Sequence, residues 1–352
     1  MRRTLRWLAV TMTLAMLILT GCTQTAIPEA PTTPTAAPTS RTITDMEGRQ
    51  VEIPTTVKSV VTIGSVPVLN SFIYAVGRGD VVVNNLPQHF VDRQQWKYQY
   101  VFAPQIETGP QVEGSDGPLT EELLDIDPDI ILTMQPDSVE PLEDLGLTVV
   151  VLQWFDDTDV KNVIELLGDI LGSPEGATAY TSYFDDSVAR VNQAVKTAAA
   201  DSPRTAIYMN PDGMSRPHLI AEWWISNAGG TSVTADQTEP RLKFNAEQLI
   251  SWDPDVIFVS SAKNVDEVMD DPRFVGLTAV KNSEIYVVPI GAHLWGNRTS
   301  EQPLTVWFAA SKLYPDAVPY ETFTTEVGTF YADIFNAELT PDQVEEIASG
   351  NR

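Results

Sequence analysis

The sequence predicts an α/β protein of two Rossmann-like lobes with mainly parallel sheets, joined by a single long helix. Short β-branched runs alternate with helical patterns in two separate series, which is typical of βαβ units. One uninterrupted amphipathic pattern separates the two series. The chain has 352 residues, more than one hydrophobic core usually holds. We therefore expect a first lobe at 41–158, connecting helices at 159–200 and a second lobe at 201–352.

The predicted strands are short apolar runs rich in valine and isoleucine. Such runs are typical of parallel strands that are buried on both faces. They lie at 59–63, 81–83, 129–133 and 148–152 in the first lobe, and at 204–209, 255–260 and 284–288 in the second.

A long helix is predicted between the lobes. Ser173 can cap it and Pro174 suits its first position. Its apolar positions recur at helical spacing, at Ala177, Tyr180, Phe184, Val188, Val191 and Val195. A helix that runs to about Ala199 spans roughly 39 Å at 1.5 Å per residue, enough to cross from one lobe to the other. The alternative is an ordinary surface helix of one lobe.

The N-terminal segment predicts export. Arg2, Arg3 and Arg6 precede an apolar stretch at 8–19, so residues 1–21 are interpreted as a secretory signal peptide. About a dozen apolar residues are too few to span a membrane as a helix. The sequence Leu-Thr-Gly-Cys at 19–22 resembles the bacterial lipobox, which implies that Cys22 receives lipid. An inert cysteine in an apolar segment is the alternative.

The segment after the signal is interpreted as a tether. Residues 22–40 are mostly Thr, Pro and Ala, a composition with too little apolar bulk to fold. Because Cys22 is the only cysteine, the folded body can contain no disulfide and no thiolate metal site. We expect an exported protein, anchored by lipid to the outer face of the cytoplasmic membrane or within a periplasm.

The charge of the chain limits its partners. The formal net charge is −26, and it becomes about −29 without the three signal arginines. A surface this acidic repels nucleic acid and anionic lipid headgroups, so no nucleic-acid partner is expected. It disfavours an anionic ligand as well, unless particular arginines line the site, so neutral and cationic chelates remain candidates.

An eleven-residue segment occurs twice, at 121–131 and 247–257. In each copy a glutamate stands seven residues before Pro-Asp, and a short apolar helix leads through the proline into a strand. These glutamates are Glu121 and Glu247. A glutamate at a helix start is also favoured by the helix dipole alone, which is the structural alternative for each.

The repeat resembles the family of binding proteins for iron siderophores, haem and vitamin B12 that serve ABC importers. Residues 43–54 resemble its opening hairpin with Gly48 in the turn, 279–289 its late helix-to-strand step, and 307–315 a helix of the second lobe that ends in Tyr-Pro. The resemblance implies a monomer without intrinsic cofactor that delivers an iron chelate. It also implies that Glu121 and Glu247 engage arginines on the permease dimer, which works with its ATPase. An iron siderophore ranks first as ligand, followed by haem, cobalamin or another metal chelate.

The ligand of such a protein lies between the lobes, against loops at the carboxyl ends of strands. Trp295 and Arg298 form a Trp-x-x-Arg that matches a family loop beside this cleft. A tryptophan can cover a planar chelate and an arginine can pair with its oxygens. The full set of candidate ligand contacts is Pro67, Gln88, His89, Met134, Gln135, Trp154, Arg216, His218, His293, Trp295 and Arg298.

Several of these candidates have plainer alternatives. Arg298 could instead pair with Glu301 or cap a loop. Arg216 and His218 could belong to a simple polar loop, and Met134 stands where some relatives place an aromatic contact. The three histidines could complete a metal's coordination or merely be solvated, so no direct metal ligand is assigned.

Two classes of function other than transport are an enzyme and a surface sensor or adhesin. An enzyme is disfavoured because the sequence has no Gly-x-Ser-x-Gly, phosphate loop, dinucleotide fingerprint or His-Glu-x-x-His. A surface sensor or adhesin on the same fold stays open, but it has no need of the two docking glutamates.

Overall fold

A computed structural model describes residues 39–115 and 117–350. The signal peptide, Cys22 and the tether up to residue 38 lie outside this range. The first strand begins at Ser40, one residue before the predicted start of the first lobe. Within the described ranges, no helix combines the length and the apolar character that a membrane span requires.

The elements follow one another as alternating strands and helices. The strands are β1 Ser40–Thr44, β2 Gln50–Pro54, β3 Val60–Ile63, β4 Glu113–Gly114, β5 Gly117–Pro118, β6 Ile130–Thr133, β7 Val149–Val151, β8 Thr205–Tyr208, β9 Ser215–Arg216, β10 Thr231–Ser232, β11 Leu242–Lys243, β12 Val256–Val259 and β13 Ile285–Val287. The helices are α1 Val66–Ala75, α2 Gln88–Val91, α3 Tyr98–Phe102, α4 Thr120–Ile126, α5 Val139–Glu143, α6 Asp157–Ile170, α7 Pro174–Asp201, α8 Ile220–Asn227, α9 Ala246–Trp252, α10 Ala262–Met269, α11 Thr278–Lys281, α12 Gln302–Leu313, α13 Tyr320–Phe335 and α14 Pro341–Ser349. Short 3₁₀ turns lie at Gly79–Val81, Gln94–Trp96, Pro104–Thr108 and Pro136–Ser138.

The first lobe is built on a parallel sheet of order β3-β6-β7, whose residues are buried on both faces. The predicted strand at 81–83 is wrong, because only Val82 forms a bridge, to Val60. The side chain of Asn84 explains this. It accepts from the Thr62 amide at 2.9 Å and donates to the Thr62 carbonyl at 3.0 Å. The backbone groups of Thr62 at this edge of β3 are therefore paired with a side chain and not with a further strand.

The second lobe is built on a parallel sheet of order β10-β8-β12-β13. The three predicted strands of this lobe are present within one or two residues of their predicted ends. The fourth strand, β10, was not predicted, because two residues are too few to show a period. The predicted fold class of two parallel-sheet lobes is therefore confirmed.

The long connecting helix is α7, whose 28 residues span roughly 42 Å. At its start, the Ser173 hydroxyl donates to the carbonyl of Val76 in the first lobe at 2.7 Å. Near its end, Asn192 donates to Asn227 of α8 in the second lobe at 3.2 Å. Because its two ends contact different lobes, α7 is the predicted crossover and not a surface helix of one lobe.

The repeated segment has the same structure in both copies. Helices α4 and α9 have seven residues each, and each ends on a left-handed aspartate, Asp127 (φ 46°) or Asp253 (φ 42°). The aspartate of Pro-Asp then binds the start of a neighbouring strand. Asp129 accepts from the Ser59 amide at 3.0 Å, and Asp255 accepts from the Thr205 amide at 2.8 Å. The duplication seen in the sequence is thus a duplicated structural unit at the amino ends of the sheets.

Candidate ligand-binding site

An interlobe cavity of about 360 Å³ lies at the carboxyl ends of β3, β12 and β13. It is lined by Ser65, Pro67, Phe90, Arg93, Gln95 and Trp96 of the first lobe and by Ser260, Ser261, Ile290, His293, Leu294 and Asn297 of the second. A neighbouring cavity of about 250 Å³ shares five of these residues. Two depressions of about 620 and 650 Å³ lie along α7. The interlobe cavity is the better candidate because ligands of such α/β folds bind at the carboxyl ends of strands.

Aromatic rings form one wall of the interlobe cavity and bridge the two lobes. The Trp96 indole stacks on the His293 imidazole, with centroids 5.7 Å apart and planes at 27°. Phe90 meets the same indole edge-on at 5.4 Å. Neither Trp96 nor Arg93 was nominated from the sequence, because the short helix and 3₁₀ turn that carry them have no motif.

The first-lobe rim is set by the turn after β3. Gly64 has a φ of +86°, and a side chain at this position would crowd the Gln135 amide at 3.0 Å. The backbone N–H of Gly64 donates to the Glu113 carboxylate at 2.9 Å. Burial raises the pKa of Glu113, and the hydrogen bond from Gly64 opposes this shift.

His293 is held in place by a buried carboxylate. The amides of Ala292 and His293 both donate to Glu301 at 2.8 Å, and the Tyr331 hydroxyl donates to it as well. Burial raises the pKa of Glu301, while these donors lower it. Burial, with a smaller contribution from His218, lowers the pKa of His293 to about 3. Glu301 therefore orients the loop, and the alternative of a Glu301 pair with Arg298 is wrong.

His218, Arg241 and Arg298 lie next to His293, and the two arginines form a cationic flank. The pairing of β9 with β11 sets Leu242 opposite Arg216, so Arg241 and His218 leave the same end of this ribbon. Burial, with smaller contributions from the charges of Arg298 and Arg241, lowers the pKa of His218 to about 4. Arg241 has no signal in the sequence, since only the ribbon pairing brings it to this site.

The two arginines of the cationic flank have few partners of their own. Arg298 donates to the carbonyl of Phe155 across the cleft at 3.2 Å. Burial lowers the pKa of Arg298 most, Asp159 opposes this, and Arg241 adds to it. Arg241 is exposed and makes no hydrogen bond or ion pair with the described part of the chain. Both guanidinium groups thus retain donors for a ligand.

The predicted contacts fall into different surroundings. Pro67 and His293 line the interlobe cavity, and His218 and Arg298 adjoin it. Three polar candidates are exposed and do not line the cavity: Gln135 lies beside Gly64, Gln88 donates to Asp92, and His89 packs against Phe90. Met134 is half-buried against the core.

Three predicted contacts have structural roles instead. Trp295 has no exposed surface, because the turn that returns its amide to the Pro289 carbonyl directs the indole into the core against Phe323. Trp154 packs on Phe72 and donates its indole N–H to the carbonyl of Arg298 at 3.2 Å. The predicted ligand contacts of Trp295 and Trp154 are therefore wrong, because both rings pack inside the protein.

Arg216 is also fully buried. Its guanidinium donates to Glu222 at 2.5 Å and to three backbone carbonyls, at Thr234, Gln237 and Glu239. These partners lie in the segment before β11, so Arg216 fixes that segment from beneath. The predicted ligand contact of Arg216 is wrong, because its donors are used inside the lobe.

The two glutamates of the repeat lie at the opposite edge of the sheets. Glu121 and Glu247 are exposed in the first turns of α4 and α9, and neither carboxylate makes a hydrogen bond or ion pair with another described residue. Their role toward a permease stays a prediction. Within residues 39–115 and 117–350, no three His, Cys, Asp or Glu side chains converge to hold a metal ion.

Comparison with known proteins gives a consistent result. A family model described as periplasmic binding protein matches residues 77–290. The molybdate-binding protein MolA of Haemophilus influenzae is 22% identical over 282 residues, which cover 70% of this chain and 80% of the relative. The iron(3+)-hydroxamate-binding protein YxeB of Bacillus subtilis is 20% identical over 191 residues, which cover 47% and 57%.

Solved structures have the same fold. A periplasmic solute-binding protein from Veillonella parvula matches with a TM-score of 0.75 and 24% identity, over 88% of this chain and 96% of that one. MolA bound to molybdate matches with a TM-score of 0.69 and 20% identity, over 86% and 100%. The predicted family is thus confirmed. The chain belongs to the periplasmic binding protein family, whose members bind solutes outside the cytoplasm for ABC importers without intrinsic cofactor and without catalysis.

Proposed function

We propose that this chain captures an anionic, metal-centred ligand in the interlobe cavity and delivers it to an ABC permease. The observation that carries the proposal is the composition of the cavity wall. The chain has 48 acidic residues, yet no carboxylate is among the described residues that line the cavity, which include Arg93, His293 and three serines. A wall that excludes carboxylates within an acidic protein favours a negatively charged ligand.

The cationic flank also favours a negatively charged ligand. Arg241 and Arg298 can donate to the oxygens of a chelate in the planar geometry that guanidinium groups prefer. His218 and His293 are neutral near pH 7, because their pKa values lie near 4 and 3. A bound anion would favour their protonated forms and so gain two more donors at lower pH. The whole-chain charge disfavours an anion, but these arginines are the local exception that the sequence analysis allowed.

An anionic ferric siderophore is our first candidate. The Trp96 and Phe90 rings can cover the aromatic plane of a catecholate, and the arginines can pair with its iron-bound oxygens. Because a ferric tris-catecholate is trianionic and a ferric trihydroxamate is uncharged, we expect the catecholate to bind more tightly. Haem and cobalamin rank lower, because neither presents a trianionic shell of metal-bound oxygens for the arginines to pair with.

A tetrahedral oxyanion of the molybdate class is the second candidate. The small volume of the cavity favours it, as do the hydroxyls of Ser65, Ser260 and Ser261 and the free arginine donors. The relative that matches over 80% of its own length is described as molybdate-binding. An oxyanion of this kind needs donors on several sides and no aromatic wall, so a role for Trp96 distinguishes the two candidates.

Delivery depends on Glu121 and Glu247, which we propose as ion-pair partners of arginines on the two permease subunits. The protein acts as a monomer, and the lipid on Cys22 keeps it near the permease in the outer leaflet of the cytoplasmic membrane or within a periplasm. A surface sensor or adhesin would bind the same ligand without supporting uptake. Uptake in cells that carry Glu121→Ala with Glu247→Ala separates these functions.

Tryptophan fluorescence of the unlipidated chain tests the ligand. We would titrate it with a ferric tris-catecholate, a ferric trihydroxamate, molybdate, haem and cobalamin. Saturable quenching by the catecholate at micromolar concentration or below is expected, and Trp96→Phe should remove most of the quenching. Molybdate binding alone, measured by calorimetry, would favour the second candidate. Binding restricted to cobalamin or another uncharged ligand would contradict the proposal.

A further inference from the structure

An exposed apolar side chain stands beside each docking glutamate. Leu124 is 48% exposed and Ile250 is 46% exposed. Each lies three residues after its glutamate, so on helices α4 and α9 the glutamate and the apolar residue share a face. One exposed leucine needs no explanation, but the same exposure at the same position of both copies does.

A second exposed pair follows the same duplication. Leu145 is 40% exposed and Val275 is 62% exposed. Both stand in an apolar-Gly-Leu-Thr sequence, at 145–148 and 275–278, and in both the following leucine is buried in the core of its own lobe. The two copies therefore keep one apolar residue inside and one outside.

The topology brings the two pairs to one edge of each lobe. Helix α4 leads into β6, Leu145 precedes β7, and these strands are adjacent and parallel. Helix α9 leads into β12, Val275 precedes the short helix α11 that leads into β13, and these strands are adjacent and parallel too. In the second lobe, the Thr278 amide donates to Asp253 at the end of α9 at 2.7 Å, which ties the two segments together.

These four residues are half of the eight large apolar side chains that the described residues expose. All four lie at the amino ends of the strands, away from the interlobe cavity. Acidic side chains such as Glu122 and Asp144 surround them. A partner that matches this surface presents apolar contacts with a basic rim, and it presents them twice, as a two-fold dimer does.

We propose that Leu124 with Leu145, and Ile250 with Val275, form two matching apolar contacts that pack on the two subunits of the permease dimer. This inference rests on the proposed function, in which Glu121 and Glu247 dock on the same dimer. In such an interface the apolar pairs supply affinity by excluding water, and the glutamates supply orientation and specificity.

The test measures binding of the full chain to the permease–ATPase complex whose transport it supports, reconstituted in lipid nanodiscs. Leu124→Ser and Ile250→Ser should each weaken binding about five-fold, and together about twenty-five-fold, because about half of each side chain remains to be buried. Leu145→Ser and Val275→Ser should have effects of the same order. Val101→Ser is the matched control, since Val101 is 37% exposed on α3, outside this surface, and should leave binding unchanged.

The outcomes separate this inference from the proposed function. If the serine variants bind the nanodiscs like the unmodified chain while Glu121→Gln with Glu247→Gln weakens binding, the apolar contacts are refuted and docking stands. If the glutamine variant has no effect either, the proposed docking itself fails. Concentration-dependent self-association that the serine variants abolish, without a change in permease binding, would assign the surface to a second copy and overturn the inference. Ligand affinity, measured by fluorescence, should stay constant in every variant.

Discussion

The two lobes are alike at one edge of their sheets and different at the other. At the amino ends, α4 and α9 repeat the same length, the same left-handed aspartate and the same exposed glutamate. At the carboxyl ends, the first lobe supplies Trp96, Phe90 and Arg93, whereas the second supplies hydroxyls, imidazoles and two arginines. A duplicated edge suits a two-fold partner, and two unlike edges suit an asymmetric ligand held between them.

The largest effect is expected from removing the two arginines that the second lobe contributes. Arg241→Ala with Arg298→Ala should weaken binding of an anionic ligand at least about 100-fold, because each charge-assisted hydrogen bond contributes about 1.5–3 kcal/mol. Isothermal titration calorimetry measures this loss. Lys196→Ala, which removes an exposed charge from α7, should leave affinity unchanged. Equal losses in both variants would show that general charge, and not this site, attracts the ligand.

A smaller effect is expected when the loop that carries His293 loses its buried anchor. In Glu301→Gln an NH₂ group replaces one carboxylate oxygen. This group cannot accept the hydrogen bond from the backbone N–H of Ala292 or of His293. We expect about 2 kcal/mol lower stability, measured by urea unfolding, together with weaker ligand binding. Stability equal to that of the unmodified chain would mean that Glu301 does not hold this loop.

Removing the glutamates of the duplicated edge should reduce transport without changing ligand affinity. Glu121→Ala with Glu247→Ala should reduce uptake about tenfold, because two exposed ion pairs with the permease are lost, while ligand affinity is retained. Asp186→Ala removes an exposed carboxylate from the middle of α7, outside this edge, and is the control. A fall in ligand affinity in the double variant would argue against a docking role.

The smallest effect concerns pH. The pKa values of His218 and His293 are lowered to about 4 and 3, whereas an unfolded histidine titrates near 6.5. The unfolded state therefore binds more protons below pH 6.5, so stability is lost as pH falls from about 6.5 toward 4. At pH 5.5 the loss is about 1 kcal/mol per histidine. His218→Asn or His293→Asn should flatten this decline in urea unfolding, whereas His89→Asn, at an exposed position, should not; identical curves would contradict the burial of both imidazoles.

Much of the fold could be predicted because its signals are local. The apolar runs predicted six of the seven strands of the two parallel sheets, and the spacing from glutamate to Pro-Asp predicted the repeat. The ligand site was predicted only by loop position. Trp295 and Arg298 are three residues apart in one loop, yet the closing turn sends the indole into the core while Arg298 reaches the cleft. Arg241 reaches the site through a ribbon of two residues per strand, which no periodicity shows.

The lobe boundaries at 158 and 201 and the lipid on Cys22 stay predictions. The boundaries depend on which residues move together with each lobe, and Cys22 lies outside the described residues. Neither affects the contrast between the two edges, which depends only on residues within 39–115 and 117–350.

The most direct test compares the affinities of a trianionic ferric tris-catecholate and an uncharged ferric trihydroxamate on the unmodified chain and on Arg241→Ala with Arg298→Ala. We predict that the unmodified chain binds the trianionic complex at least about tenfold more tightly, and that the double variant loses this preference. Equal or tighter binding of the uncharged complex by the unmodified chain would contradict the claim that the cleft selects an anion.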